Sequence, residues 1–576
     1  MKRSIVIGAV AVLAVSTFTS PADAAGPSAA VSEAQAEYVV LYKEGADSAA
    51  AEQAITGAGG TVLKENTAVG VATITTTNAG FADAVRASAA IEGVARNRSI
   101  GQAPQSARIS AAARQAIEAK AVEKEGHRAE ARSSWGKPGP KAEPLAEAQW
   151  DMKQIHATAD GAHRYEQGDP GVIVGVLDTG VDGSHPDIAP NFDRRLSRNF
   201  TVDIPVDANG AAVDGPCEEE PDRSCNDPAD VDENDHGTHV ASSIAAPINQ
   251  LGMAGVAPKV KIVNLRAGQD SGYFFLQPSV DALTYAGDIG VDVVNMSYYI
   301  DPWLFNCTDN PADSAADRLE QATIIRATQR ALDYAHRRGV TLVSAAGNNA
   351  LDYTKTVQDP SSPDFASEPG EAPYNRTIAP SCVSLPSEGE NVISVASTGI
   401  SKRKSYYSDY GNGYVDVAAP GGDTYDTATN RQDVTRATLA AYPRALAEAR
   451  GELNPDGTPN VPYLVRDCKG TTCAYYQYLQ GTSMASPRAA GVAALIVSKY
   501  GERDRRHGGK TLSPRIVENV LRSTATETAC PSPAAFTYTR ILANGTTVTA
   551  THTCEGGESR NGFYGSGIVD ALRAVR

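Results

Sequence analysis

Short, mostly apolar runs alternate with helical patterns from about Leu145 onward: Val172 to Leu177, Val260 to Leu265, Val291 to Met296, Val340 to Ala345, Val392 to Ala396 and Val415 to Ala418. Apolar runs of this kind read as strands buried on both faces, and the helical stretches between them supply the crossovers that parallel strands require. The expected fold is α/β, a doubly wound and mostly parallel sheet flanked by helices. In such sheets functional residues gather at the carboxyl ends of the strands. Three runs end there in polar residues: Asp178, Asn295-Met296-Ser297 and Gly347-Asn348.

The chain before Leu145 has a different texture. Glu37 to Tyr42, Val69 to Thr75 and Ile91 to Ile100 read as strands, and Ala46 to Ala58 and Phe81 to Ala90 as helices, the first ended by Gly59-Gly60. These elements predict a small α+β unit of ferredoxin-like type. Gln102 to about Pro144 is rich in Ala, Glu, Arg and Lys with almost no aliphatic core, and Gly136-Lys137-Pro138-Gly139-Pro140 breaks its helical tendency. It reads as a solvated, protease-accessible linker. The first residues combine a basic start, Met1-Lys2-Arg3, an apolar run from Ile5 to about Val15, and the small residues Ala22-Asp23-Ala24. That is the pattern of a secretory signal, with an apolar run too short to span a bilayer. Nothing near Arg576 resembles a membrane anchor. The expected divisions are a signal peptide at 1–24, the small domain at 25–101, the linker at 102–144 and the main domain at 145–576, exported across a bacterial membrane and released.

Composition narrows the function classes. With 68 Asp plus Glu against 52 Lys plus Arg, a net charge of −16, the 576-residue chain lacks the basic balance of a nucleic-acid-binding protein. Eight cysteines stand at 217, 225, 307, 382, 468, 473, 530 and 554, with no Cys-x-x-Cys among them. Export favours disulfides over metal or redox sites. Sequential pairing is expected, with Cys217–Cys225 and Cys468–Cys473 closing short loops, although eight cysteines allow 105 connectivities.

Three polar sites carry candidate chemistry, and each is ambiguous alone. Asp178, at a strand end before Thr179-Gly180, is a largely desolvated carboxylate that needs hydrogen bonds. His236, in Asp235-His236-Gly237-Thr238-His239, opens a helix; with His239 it also has the spacing of a metal pair, but there is no Glu between them. Ser483, in Gly481-Thr482-Ser483-Met484-Ala485-Ser486-Pro487, precedes the helical stretch Ala489 to Lys499. It reads either as an N-cap or as a nucleophile where free N–H groups favour negative charge.

Together, in the order Asp178, His236, Ser483, these strings resemble the subtilisin-like serine proteases. Ser184-His185-Pro186-Asp187, Gly255-Val256-Ala257-Pro258, Asn295-Met296-Ser297 and Ala345-Ala346-Gly347-Asn348 extend the likeness, which covers about Leu145 to Arg576. The resemblance implies a secreted serine endopeptidase that acts on peptide and protein substrates through an acyl-enzyme. Asp178, His236 and Ser483 would form its triad and Asn348 would donate to the oxyanion. It implies substrate pairing along Ser271-Gly272 and Ser297-Tyr298-Tyr299, with Gly347 beside the reacting carbonyl. It also implies a structural Ca²⁺ held by Asp187, the Asn249 side chain and the carbonyls of Pro247, Leu251 and Met253. The unit at 35–101 resembles a subtilase propeptide, an intramolecular chaperone and inhibitor; a permanently attached accessory domain is the alternative. The working enzyme is expected to be a monomer without a membrane anchor.

Departures from the family pattern are Tyr299, where relatives often carry Gly, and Arg488, where many carry His. Asp235 reads as a helix-capping or surface acid. Extra loops at about 201–233, 302–318, 351–385 and 423–475 enlarge the main domain and would narrow access to the cleft. A catalytically idle fold used for binding is the competing class, disfavoured because Asp178, His236, Ser483 and Asn348 are all present.

Overall fold

The computed structural model describes residues 36–97, 122–131, 136, 142–219 and 223–576. The signal-like start and most of the linker lie outside them. The small unit runs β1 (Ala36–Tyr42), α1 (Ser48–Gly57), β2 (Gly60–Asn66), β3 (Val71–Thr76), α2 (Phe81–Arg86) and β4 (Ile91–Arg96). Its antiparallel sheet has the order β2-β3-β1-β4, a βαββαβ arrangement of the ferredoxin-like type. Strand β2, Gly-Thr-Val-Leu-Lys-Glu-Asn, was not expected. It is a largely exposed edge strand whose polar residues carry no buried-face signal.

Alternation along β1 shows why this unit is not free-standing. Val40 and Tyr42 pack with Ile55, Phe81 and Val85 against the unit's own helices. Val39 and Leu41 point to the opposite face and join a core shared with the main domain.

That domain continues with β5 (Ile173–Leu177), β6 (Arg198–Asn199), α3 (His236–Ala245), β7 (Lys261–Arg266), α4 (Leu276–Ile289), β8 (Val293–Met296), α5 (Ala315–Arg337), β9 (Thr341–Ala345), β10 (Val392–Thr398) and β11 (Val417–Pro420). These seven strands form one parallel sheet in the order β11-β10-β9-β8-β5-β7-β6. Six of them lie in the predicted apolar runs. The seventh, β6, has two residues and leaves no pattern to read.

An antiparallel sheet, β12 (Thr438–Tyr442), β13 (Leu464–Lys469) and β14 (Thr472–Leu479), fills the inserted stretch before α6 (Thr482–Tyr500). Helix α6 is buried along nearly its whole length, and its apolar residues share a core with α3 and the sheet. Arg488, inside it, pairs with the buried Asp151 at 2.5 Å and stays clear of the strand ends. All eight cysteines pair in sequence: Cys217–Cys225, Cys307–Cys382, Cys468–Cys473 and Cys530–Cys554.

The small unit docks on α4 and α5. Arg96 reaches Asp317 at 3.2 Å and Glu320 at 3.1 Å, Lys64 reaches Asp281 at 2.7 Å, and Arg330 donates to the Tyr42 carbonyl at 2.7 Å. At the centre of this contact a Cβ on Gly93 would lie 2.4 Å from Thr323 Oγ1. Gly93→Ala is therefore expected to weaken the whole chain by about 1–3 kcal/mol through overpacking, seen as a lower urea midpoint. Thr323→Ala should restore part of the loss. No change with Gly93→Ala would mean that the two surfaces do not meet in solution.

Candidate active site

The carboxyl ends of β5, β8 and β9 lie side by side, and the polar residues that follow them share one edge of the sheet. Asp178 follows β5, and its main-chain carbonyl accepts the N–H groups of Ala267 and Gly268, both at 3.1 Å. Its fully buried carboxylate accepts from Thr179 N–H at 2.8 Å and lies 2.7 Å from His236 Nδ1. His236 is the first residue of α3, and Asn234 Oδ1 accepts its main-chain N–H at 3.2 Å. His239, one turn on, faces the Thr438 carbonyl at 3.1 Å, and burial pushes its pKa down to about 3. The two imidazoles thus serve different partners.

Asp235 is neither a surface acid nor a side-chain cap. Its backbone is left-handed (φ 97°), its side chain is fully buried, and it makes no capping hydrogen bond. The carboxylate instead meets Arg450 at 2.5 Å, Lys124 at 2.8 Å and Gln477 Nε2 at 2.8 Å. Burial opposes its ionisation, but the two cations hold it well below the usual carboxylate range.

Ser483 stands in the first turn of α6, and that turn is tied to two strand ends. Ser297 Oγ donates to the Ser483 carbonyl at 3.0 Å, Ser483 Oγ donates to the Ser297 carbonyl at 3.4 Å, and Ser486 Oγ donates to Asn295 Oδ1 at 2.6 Å. Asn348 Oδ1 accepts both Thr482 N–H and Thr482 Oγ1, each at 2.9 Å. With its oxygen committed, the Asn348 amide nitrogen faces the cleft. Gly347 adopts φ 110°, and a Cβ there would lie 2.3 Å from Asp409 Oδ2. Asp409 itself accepts Asn349 N–H at 2.9 Å and Leu351 N–H at 2.8 Å, and so holds the turn carrying Asn348. Sequence reading missed Asp409, a lone acid in a tyrosine-rich stretch with no motif around it.

The largest departure from expectation concerns the linker. Val122–Arg128 is not solvated: it forms a 3₁₀ turn in this cleft. The Glu123 carboxylate lies 3.5 Å from His236 Nε2 and 3.5 Å from Asn348 Nδ2, and the nearby Ser483 side chain helps to lower its pKa. One carboxylate thereby marks the point on which His236 and Asn348 converge.

A profile of the subtilase family matches residues 169–567. The chain belongs to the subtilase family. Among relatives, the thermophilic serine proteinase of Bacillus sp. strain AK1 is 29% identical over 341 residues, 59% of this chain and 55% of that protein. Subtilisin DY of Bacillus licheniformis is 28% identical over 355 residues, 62% of this chain and 84% of that protein. In structure, the epidermin leader peptide processing serine protease of Staphylococcus aureus matches with a TM-score of 0.58 at 20% identity, covering 94% of this chain and 98% of that one, a likeness in fold.

Two features expected of a subtilase are built differently here. The Ser271 N–H donates to Asp214 Oδ1 at 2.6 Å and the Gly272 N–H to the Gln269 carbonyl at 2.9 Å. These two residues form a tight turn, with neither N–H left for an extended substrate. Opposite them, Tyr298 stacks on Phe274 with ring centres 4.1 Å apart, and the Tyr299 hydroxyl donates to Asp364 at 2.6 Å. Tyr299 is thus drawn toward the inserted loop 351–385.

Two of the five groups expected to bind calcium, the Asp187 and Asn249 side chains, are turned to other partners. Asp187 and Asn249 do meet, but Asn249 presents its amide nitrogen to Asp187 at 2.8 Å and its oxygen to Leu251 N–H at 2.8 Å. Asp187 also accepts Tyr476 OH at 2.7 Å and Met253 N–H at 3.1 Å, and burial pushes its pKa up to about 7. Lys469 places its ammonium 2.6 Å from the Asn249 carbonyl, on the loop that also carries Pro247 and Leu251. With the Asp187 carboxylate satisfied by three protein donors and Asn249 presenting its amide nitrogen, this pair of side chains does not fit a Ca²⁺ shell. Asp203, Asp227 and Asp270 also cluster, but the buried Arg266 guanidinium pairs with all three. Lys469→Met removes one exposed hydrogen bond worth about 1 kcal/mol and is expected to lower the melting temperature by about 2–4 °C, whereas a chelator should leave the wild type within about 2 °C. A large chelator-induced drop reversed by Ca²⁺ would restore the calcium reading.

Proposed function

We propose that this subtilase is a secreted serine endopeptidase in which Asp178, His236 and Ser483 form the triad and Asn348 supplies an oxyanion donor. The convergence of His236 Nε2 and Asn348 Nδ2 on one carboxylate, beside the turn that carries Ser483, carries this reading, because a reacting carbonyl placed there has base, donor and nucleophile around it. Ser483 Oγ attacks the carbonyl carbon while its proton passes to His236 Nε2. Asp178, 2.7 Å from Nδ1, keeps the imidazole in the receptive tautomer and stabilises its cation. Negative charge developing on the carbonyl oxygen is held by Asn348 Nδ2 and the Ser483 N–H at the start of α6. The proton then goes to the departing amine, and water repeats the sequence on the acyl-enzyme.

The chain divisions belong to the same proposal: a signal at 1–24, a propeptide at 25–101, a linker with a processing cleavage between Gly101 and Leu145, and a peptidase at 145–576. The unit docked on α4 and α5 supports the propeptide role, and the basic and apolar start supports export. Among the described residues no helix is long and apolar enough to cross a membrane.

A serine-directed fluorophosphonate is expected to label the wild type and not Ser483→Ala. The secreted Ser483→Ala chain should keep residues 25 to about 135 by intact mass. Asn348→Leu should lose about 10²–10³ in kcat with little change in KM. A wild type that neither labels nor loses its N-terminal segment sinks the protease reading.

A further inference from the structure

The geometry points to the active-site cleft as the docking site of the chain's own Val122–Arg128 turn, with the Glu123 side chain as a carboxylate plug between His236 and Asn348. This rests on the triad reading of Asp178, His236 and Ser483, and it assigns an inhibitory function to a segment that composition marks as a spacer.

The turn is fixed at every side. Gln480 N–H donates to the Glu123 carbonyl at 3.2 Å and Gln480 Nε2 to the Val122 carbonyl at 3.0 Å. Lys124 is seated on the buried Asp235 at 2.8 Å. Glu125 accepts Tyr425 OH at 3.1 Å, meets Tyr406 OH, and pairs with Arg540 at 3.5 Å. His127 Nε2 lies 2.8 Å from the Tyr478 carbonyl, with its ring stacked on Tyr463 at 3.9 Å. A Cβ on Gly126 would lie 2.5 Å from Thr424 Cγ2, so the turn fits the wall closely.

What lies against His236 and Asn348 is the Glu123 side chain. The backbone at Glu123 is 3₁₀-helical, whereas a cleavable substrate lies extended. A carboxylate brings two partly charged oxygens, the charge that the oxyanion donors and an imidazolium are arranged to meet. Burial opposes ionisation of Glu123, but His236, Ser483 and Lys124 outweigh it and its pKa falls. Burial likewise opposes the His236 cation, but Asp178 and Glu123 raise its pKa well above the ordinary value. The other titratable groups nearby are the neutral His239, one turn on from His236, and Asp235, the residue before it, which is paired with Lys124 and Arg450.

Two measurements on the full chain test the plug. In the Ser483→Ala background, Glu123→Gln should lower the His236 imidazole midpoint, followed by NMR, by at least one pH unit, a tenfold loss of proton affinity. Glu130→Gln, at an exposed position two residues past the turn, should leave it unchanged. In the Ser483 chain, fluorophosphonate labelling of the full-length species, resolved by intact mass from any processed form, should be at least tenfold faster for Glu123→Gln than for wild type or Glu130→Gln. An unchanged His236 midpoint, or equal labelling rates, overturns the plug. If no chain labels at all, the protease reading fails separately, and the His236 midpoint still decides whether Glu123 holds that position.

Discussion

The hydrogen bonds that pin the first turn of α6 to the ends of β8 and β9 determine the rest of the site. Thr482 gives both its N–H and its hydroxyl to Asn348 Oδ1, Ser297 and Ser483 exchange hydrogen bonds, and Ser486 closes on Asn295. All of these groups are buried or nearly so, and unpaired they would cost about 1–3 kcal/mol each. The observed placement of the helix satisfies them together. That placement puts the Ser483 hydroxyl at the sheet edge, leaves the Asn348 amide no direction but the cleft, and sets both against the imidazole that Asp178 orients from β5.

The inserted loops are held by a repeated device, a buried guanidinium with two or more carboxylates. Arg266 on β7 gathers Asp203 and Asp227 from the 201–233 loop, and Arg376 joins Asp313 at 2.9 Å to Asp359 at 3.1 Å across the loops 302–318 and 351–385. Removing one partner of such a set strands a buried charge, at about 3–5 kcal/mol. Disulfides reinforce the same places: Cys217–Cys225 within the first loop, Cys307–Cys382 between the next two, and Cys468–Cys473 at the tip of the β13–β14 hairpin. That hairpin carries Lys469 and, on β14, Tyr476, the groups that take over where a calcium ion was expected.

This explains what was legible in the chain and what was not. Buried parallel strands must be apolar, so six of seven announced themselves, and the triad candidates sit in strings whose small residues leave little room for variation. The set of the Asp187 and Asn249 side chains was not legible because an offset locates a Cα, whereas ligation depends on which atom of Asn249 turns inward, and that is settled by Leu251 beside it and by Tyr476 and Lys469 from a distant hairpin. Asp235 was misread for the same reason: its partners Arg450 and Gln477 come from an insertion with no motif. The linker was read as solvated because it has no apolar face. Its anchors are polar and are answered only by a folded cleft wall, so nothing in its own pattern could reveal them.

A self-inhibiting segment in a protease faces a conflict: the better it binds in the manner of a substrate, the faster it is cut. Val122–Arg128 avoids this by binding through side chains. Lys124, Glu125 and His127 secure it to Asp235, the tyrosine pair and the β14 carbonyl edge, and Glu123 alone enters the reactive point. Its backbone is helical where a cleavable substrate lies extended, so the affinity of these anchors goes to occupancy and not to a transition state. The same arrangement makes the hold depend on charge. Losing the proton on His236 would set Glu123 and Asp178 on opposite sides of a neutral ring, with only Ser483, Asn348 and Lys124 left to favour the Glu123 carboxylate. Stability gained from a raised imidazole pKa is complete below the unfolded value of 6.5 and is lost as pH rises through the folded one, so the plug is held more weakly on the alkaline side.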